Sequence, residues 1–277
     1  MIDLSGKPIA ITGASSGIGA ATALACARAG MPVAISARRR DRLDAVATRI
    51  RAECPGARVF VQECDVAVPG ECEGFVDAAA REFGGLYAVY ANAGYGVEAP
   101  IHEMTDRQMR DIFETNFFGT LATVRPALAH MMKSSGVPRG HVLICSSCVA
   151  KMPLPWYGAY SATKAAQNHI SRAMRLELEP QGIHVSSVHP IGTRTEFFDQ
   201  VKGRTGVSKL VEHTPDRLLQ SADFVAGVTV RCLRRPVPEV WTGAKGHFVR
   251  FGMSVTTFLP RVGDFFIRGM VNKRLKG

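Results

Sequence analysis

Short apolar runs and longer mixed segments alternate along the chain from residue 8 onward. The run at 8–11 is apolar, as in a parallel strand buried on both faces, and those at 33–37, 58–61, 86–90, 141–145, 183–188 and 237–242 read as further strands. The segments between them read as helices: 20–29, 41–53, 71–83, a long stretch at 105–132, and one that carries Tyr160 and ends near Gly182. Strands that alternate with helices require right-handed crossovers. The expectation is one α/β domain at residues 1–243, a parallel sheet of about seven strands with helices on both faces. Residues 244–277 are expected to follow it as a basic, amphipathic helical extension.

Composition changes this picture little. At 277 residues, with 46% hydrophobic and 21% charged, the chain can bury one full core. No apolar run approaches the ~18 residues of a spanning helix. The N-terminal residues Met1 to Leu4 lack a basic-then-apolar leader, so an intracellular, cytoplasmic protein is expected. Seven scattered cysteines suggest reduced thiols rather than a disulfide framework. Cys145 and Cys148 match C-x-x-C, but at a strand end, where a helix N-terminus would not stabilise a thiolate. No His/Cys/Asp cluster has metal-ligand spacing, so no metal is expected. The net charge of +10 is unevenly placed, because seven Lys or Arg and one acid follow Ala244 and supply +6 of it. The remainder carries no broad nucleic-acid footprint.

The first strand runs into Thr12-Gly13-Ala14-Ser15-Ser16-Gly17-Ile18-Gly19, and a helix follows. Strand, glycine turn and helix make a phosphate cradle. Glycines let backbone N–H groups approach a pyrophosphate, and the helix N-terminus adds partial positive charge. This marks a Rossmann-type, doubly wound domain. The second strand ends at Ala37, where NAD-binding folds usually place an acid, and Arg38-Arg39-Arg40 follow. Guanidinium groups there suit a 2′-phosphate, so the expected cofactor is NADP (NADPH).

Tyr160 and Lys164 stand four apart, on one face of a helix. A nearby ammonium favours a phenolate and makes tyrosine a usable proton carrier near neutral pH. With Asp65-Val66, Asn92-Ala93-Gly94, Asn116, Ser147 and Pro190, the ordered set resembles the short-chain dehydrogenase/reductase family over roughly residues 5–243. The 13-residue step from Ser147 to Tyr160 matches that family's usual step; Ser146 would give 14. The resemblance implies hydride transfer between a nicotinamide and a carbonyl or secondary alcohol, by an oxidoreductase of the carbonyl reductase type. It makes Asn116, Ser147, Tyr160 and Lys164 catalytic. Tyr160 would be the general acid or base and Ser147 would hold the reacting oxygen. Lys164 would tune the tyrosine and bind ribose hydroxyls, and Asn116 would hold a water beside Lys164. Cofactor contacts would come from Gly13, Ser15, Ser16, Gly17, Ile18, Gly19, Arg38, Arg39, Asp65, Val66, Asn92, Ala93, Gly94, Tyr160, Lys164, Pro190, Thr193 and Thr195. A homodimer or homotetramer is expected.

The family usually reads Pro-Gly after the sixth strand; this chain reads Pro190-Ile191. The substrate side spans residues 149–157 and 196–219. Met152, Leu154, Trp156, Tyr157, Phe197 and Phe198 form an apolar wall there, which suits a hydrophobic carbonyl or alcohol substrate, though such residues also pack on one another. The rival reading is a non-catalytic NADP-binding regulator or scaffold of the same fold. In the extension, Phe258, Val262 and Phe265 share a helix face with Phe266 and Met270 beside them, while Arg261, Asp264 and Arg268 share another. Such a helix either docks on its own domain or a partner subunit, or lies peripherally on an anionic membrane surface.

Overall fold

The computed structural model describes residues 1–197, 201, 219–243, 250–252, 254 and 258–275. Seven strands form one parallel sheet: β1 (Ile9–Thr12), β2 (Val33–Ala37), β3 (Val59–Glu63), β4 (Ala88–Ala91), β5 (Gly140–Cys145), β6 (Ile183–His189) and the last, Glu239–Trp241. The spatial order is β3, β2, β1, β4, β5, β6, then Glu239–Trp241, so strand order reverses between β1 and β4. Ile9 of β1 faces Val33 on one side and Ala88 on the other, and all three side chains are fully buried. A crevice outside the carboxyl ends of β1 and β4 is the usual ligand position in such a sheet.

Helices cover both faces, as expected from the sequence. On one face lie α1 (Gly17–Arg28) and α2 (Arg40–Glu53); on the other lie α3 (Glu71–Phe83), α5 (Gly119–Met132) and α6 (Gly158–Leu178). The first core contains Ile9, Ile11, Ala23, Leu24, Leu43 and Ile50, and the second Phe75, Val76, Val124, Met131 and Val142. Small residues on α1, Ala23 and Ala27, let that helix lie close to the sheet and its neighbours.

Three elements differ from the sequence reading. The helix expected at 105–132 is two: α4 (Asp106–Phe113) and α5, joined by a π-helical turn over Glu114–Phe118. The wider turn carries Asn116 inward, where it is fully buried. Helix α1 begins at Gly17, inside the glycine turn, rather than at residue 20. Beyond β6, a short ladder pairs β7 (Thr193–Arg194) with β8 (Gln220–Ser221), and α7 (Ala222–Arg234) follows, capped by Ser221, whose Oγ accepts from the Phe224 N–H at 3.1 Å. Its β-branched run, Val225 to Val230, disguises a helix, because Val and Thr lose rotamer freedom there. Burial of Val225, Val230 and Leu233 beside α1 outweighs that cost. The closing strand of the sheet is β9 (Glu239–Trp241). Helix α8 (Pro260–Leu275) ends the described chain. The boundary drawn at 243/244 abuts residues outside the described ones.

Candidate active site

The crevice at the β1/β4 switch point is lined by the glycine turn, Arg38, Arg39, Asp65, Asn92 to Tyr95, Ser147, Tyr160, Lys164, Pro190 to Thr193 and Thr195. At its floor, Gly13 (φ 68°) and Gly17 (φ 55°) take left-handed backbone that other residues avoid. Thr12 and Asn92 brace this turn. The Asn92 Nδ2 donates to the carbonyls of Thr12 and Gly13 at 3.0 and 3.2 Å, and the Asn92 N–H donates to Thr12 Oγ1 at 3.2 Å. Thr12 was absent from the candidate contacts; a hydroxyl at the end of a strand carries no signal until its partner strand is known. Ser16 precedes α1 without capping it, and the first turn holds no acid. That leaves the positive end of α1 facing the crevice, which fits an anionic dinucleotide.

Ser147, Tyr160 and Lys164 meet on the β5–α6 side. Lys164 Nζ donates to the Cys145 carbonyl at 2.7 Å and stands 5.5 Å from the centroid of the Tyr160 ring. Burial pushes the Tyr160 phenol well above its ordinary value, and the Ser147 hydroxyl opposes this only in part. Burial also lowers Lys164. Burial thus acts on both members of the pair, raising the phenol and lowering the ammonium. Ser147 sits where β5 gives way to a 3₁₀ turn, Cys148–Lys151, and its Oγ accepts from the Val149 N–H at 3.4 Å. Its carbonyl contacts His189 Nδ1 at 3.0 Å, and that imidazole stacks on Trp241 with centroids 4.6 Å apart. Ser146, the alternative serine, instead donates to the Lys164 carbonyl at 3.0 Å.

Asn116 spends its groups on protein partners. Its Oδ1 accepts from the Tyr95 N–H at 2.9 Å, and Nδ2 donates to the Tyr95 carbonyl and to Thr163 Oγ1 at 2.9 and 3.1 Å. Its carbonyl accepts from Gln167 and Thr120. Asn116 thus ties the segment after β4 to α6. A Cβ at Gly94 would lie 3.0 Å from Asn116 Oδ1 and 3.6 Å from Lys164 Nζ, so only glycine leaves that gap open.

On the adenosine side, Arg38 NH1 lies 3.7 Å from Asp65 Oδ2, and Arg40 turns away to Asp44 on α2. Arg39 folds back over the glycine turn, onto Ser15, Ser16 and Glu196. Glu196 was read only as the start of a loop, since nothing in the sequence points to a partner 157 positions away. Val66 packs beside α5, where a Cβ on Gly119 would come within 2.7 Å of it.

On the substrate side, Val149, Leu154, Tyr157 and Val201 form a buried cluster against Met152, Trp156, Tyr160 and Phe197. Of the expected wall, Leu154, Tyr157 and Phe197 line the crevice, and they pack on Met152 and Trp156 at the same time. The Phe197 ring lies 5.4 Å from that of Tyr160, and the Tyr157 hydroxyl donates to buried Glu98 at 2.8 Å. Trp156 holds φ at 64°, a strained conformation for a bulky residue. Phe198 and residues 202–218 lie outside the described ones. Cys145 and Cys148 do not form a sulfur contact among the described residues, and burial pushes the Cys148 thiol up to about 11. The close thiols are instead Cys64 and Cys72, with sulfurs 3.9 Å apart. Among the described residues, no group of three metal-ligating side chains converges.

The sequence matches the family model for short chain dehydrogenase over residues 7–205. It is 34% identical over 231 residues to an uncharacterized oxidoreductase of Methylorubrum extorquens, covering 82% of this chain and 90% of that protein. It is 33% identical over 233 residues to glycine betaine reductase ATRR of Emericella nidulans, covering 84% of this chain but spanning only 18% of that protein's length. The structure is similar to a short-chain dehydrogenase of Sphingobium yanoikuyae solved in complex with NADPH, with a TM-score of 0.73 at 28% identity, covering 84% of this chain and 87% of the other.

Proposed function

The chain belongs to the short-chain dehydrogenase/reductase family, and from that footing we propose that it moves a hydride between NADP and a hydrophobic carbonyl compound or the matching secondary alcohol. The observation that carries this reading is the convergence of Ser147, Tyr160 and Lys164 on one wall of the crevice that the glycine turn opens. An intact proton-handling set favours turnover over a cofactor-binding regulator.

The residues present fit a nicotinamide dinucleotide. Gly13 to Gly19 and the N-terminus of α1 would take the pyrophosphate, Arg38 and Arg39 the adenosine 2′-phosphate, Asp65 and Val66 the adenine, and Asn92 to Gly94 its ribose. Tyr160 and Lys164 would meet the other ribose, and Pro190, Thr193 and Thr195 the carboxamide and phosphate. When bound, the cofactor supplies or accepts the hydride. In reduction, Tyr160 gives its phenolic proton to the carbonyl oxygen as that atom gains charge, and in oxidation it takes the proton back. Ser147 hydrogen-bonds the same oxygen and fixes its position. Lys164 places its charge beside the phenolate that Tyr160 becomes. Asn116 holds the segment carrying Gly94 and Tyr95 in place. The wall of Leu154, Tyr157 and Phe197 excludes water and selects an apolar substrate.

The test is a panel of ketones and alcohols scanned by NADPH absorbance, with Tyr160→Phe run in parallel. Consumption that survives this substitution unchanged would defeat the assignment.

A second feature concerns α8. Within it Val262 and Phe265 are exposed, while Gly263 is buried and Ile267 and Val271 are half-buried; Phe258, exposed as well, precedes the helix rather than sharing its face as the sequence suggested. The helix therefore turns one stripe inward and another outward. Arg261 and Arg268 flank the outward stripe, and the charge of the extension suits an anionic lipid surface, which we propose as its occupant. The side chains of Phe266, Met270, Lys273, Arg274 and Lys276 lie outside the described ones.

A further inference from the structure

Arg39 stands at the end of β2, where an adenosine 2′-phosphate would be read, yet its guanidinium is already engaged. NH2 donates to Ser15 Oγ at 3.2 Å and to Ser16 Oγ at 3.0 Å. NH1 and NH2 both donate to Glu196 Oε2, each at 3.0 Å. The other carboxylate oxygen of Glu196 lies 3.8 Å from Arg42 NH1. One carboxylate thus occupies the space between two guanidinium groups. It arrives there on the segment after β6, which is set close on the glycine turn: a Cβ at Gly17 would lie 3.1 Å from Thr195.

A carboxylate and a phosphate recognise a guanidinium by the same charge-assisted, forked hydrogen bonds. We propose that Glu196 is a specificity-determining residue that competes with the 2′-phosphate of NADP for Arg39; this rests on the NADP reading above. Glu196 opposes the phosphate in two ways. It occupies the donors the phosphate needs, and its own charge repels a second anion. NADH carries a 2′-hydroxyl in place of the phosphate and has no claim on the guanidinium, so the ion pair survives its binding. Glu196 therefore narrows the preference for NADPH that Arg38 and Arg39 create. Both partners are partly exposed, 40% for Arg39 and 37% for Glu196, which keeps the effect moderate.

The experiment measures NADPH and NADH dissociation constants by nicotinamide fluorescence for the full chain, Glu196→Gln, Arg39→Ala and the double variant, at one fixed salt concentration. Glu196→Gln keeps the shape and removes the charge. It should tighten NADPH by about fivefold and leave NADH unchanged. In the Arg39→Ala background the same change should no longer tighten NADPH. If Arg39→Ala weakens NADPH while Glu196→Gln does nothing, the competition is refuted and the NADP reading stands. If Glu196→Gln weakens both cofactors, Glu196 is a clamp over the dinucleotide and the proposal is wrong. If neither variant moves NADPH, the reading of Arg39 as the phosphate reader fails, and the proposal with it.

Discussion

Nζ of Lys164, on α6, donates a hydrogen bond of 2.7 Å to the carbonyl oxygen of Cys145, the last residue of β5. The bond fixes how the helix crosses the end of the strand. Two residues past Cys145 the chain places Ser147, and one helical turn before Lys164 it places Tyr160. A buried ammonium needs such a partner, since desolvation otherwise costs several kcal/mol. The same contact therefore stabilises the lysine and assembles the wall on which we propose that the chemistry occurs.

Tyr160→Phe tests the proton. The ring stays against Phe197 and Tyr157 and only the hydroxyl is lost. General acid catalysis contributes typically about 10²–10⁴-fold, so turnover should fall by at least about a hundredfold. NADPH affinity should stay near that of the unaltered chain. Retention of most of the turnover on a confirmed substrate would remove Tyr160 from the mechanism.

Two glycine-to-alanine changes should act in opposite directions. A Cβ at Gly19 runs into the Gly13 carbonyl and lies 2.6 Å from Asn92 Nδ2. Relieving that overlap costs about 1–3 kcal/mol and shifts the turn, so dinucleotide affinity should collapse. At Gly74, inside α3, nothing stands within 4 Å of the new Cβ. There alanine should stabilise the protein by roughly 0.5–1 kcal/mol through helix propensity and leave affinity alone. Urea unfolding and cofactor titration of both variants check the pair; equal behaviour would contradict the account of the turn.

The sheet was legible in the sequence because a parallel strand buried on both faces is written as a short apolar run, as at Leu86 to Tyr90. The glycine turn and the Tyr160/Lys164 spacing were legible because their chemistry depends on local geometry. What could not be read was set by distant partners. The π-turn that carries Asn116 inward reads as plain helix, since its width is imposed by contacts to Tyr95 and Thr163. Helix α7 carries a weak sequence signal, because Val and Thr lose rotamer freedom in a helix and its stability comes from packing on distant α1. The pairing of Arg39 with Glu196 bridges two segments that only the fold brings together. Nor does the spacing of Tyr160 and Lys164 show how deeply the pair is buried.

Acid should destabilise the protein before its carboxylates are fully protonated. Burial lowers His141 from 6.5 to about 3 and His189 from 6.5 to about 4. Above pH 6.5 both rings are neutral whether the chain is folded or not, and they add no slope. Below 6.5 the unfolded chain takes up protons that the folded chain refuses, so stability falls as pH falls toward 4. At 1.36 kcal/mol per unit, His189 alone accounts for roughly 3 kcal/mol at most. Glu239 acts with the same sign: burial works to raise it, but Lys151 and Trp241 hold it below the usual carboxylate range. His141→Gln should therefore flatten, without abolishing, the decline seen in urea unfolding across this window. A stability that stays level from pH 6.5 to 4 would show that the imidazoles are not buried as described.

The outward stripe of α8 yields the last expectation. Phe258 and Phe265 can enter the boundary between head groups and acyl chains, while Arg261 and Arg268 remain at the head groups. Each basic residue near an anionic surface adds about 1 kcal/mol, and that part is screened by salt. The full chain should co-sediment with vesicles containing phosphatidylserine at low salt and release from them as salt rises. A chain ending at Thr257 should stay in the supernatant throughout. Phe258→Ser with Phe265→Ser should weaken sedimentation without altering NADPH binding, because neither residue lines the crevice. If the full and shortened chains sediment alike, or the phenylalanine variant binds vesicles as well as the parent, the stripe serves a protein contact instead. Neutral phosphatidylcholine vesicles separate the two contributions, since the apolar stripe acts on both lipids and the arginines on one.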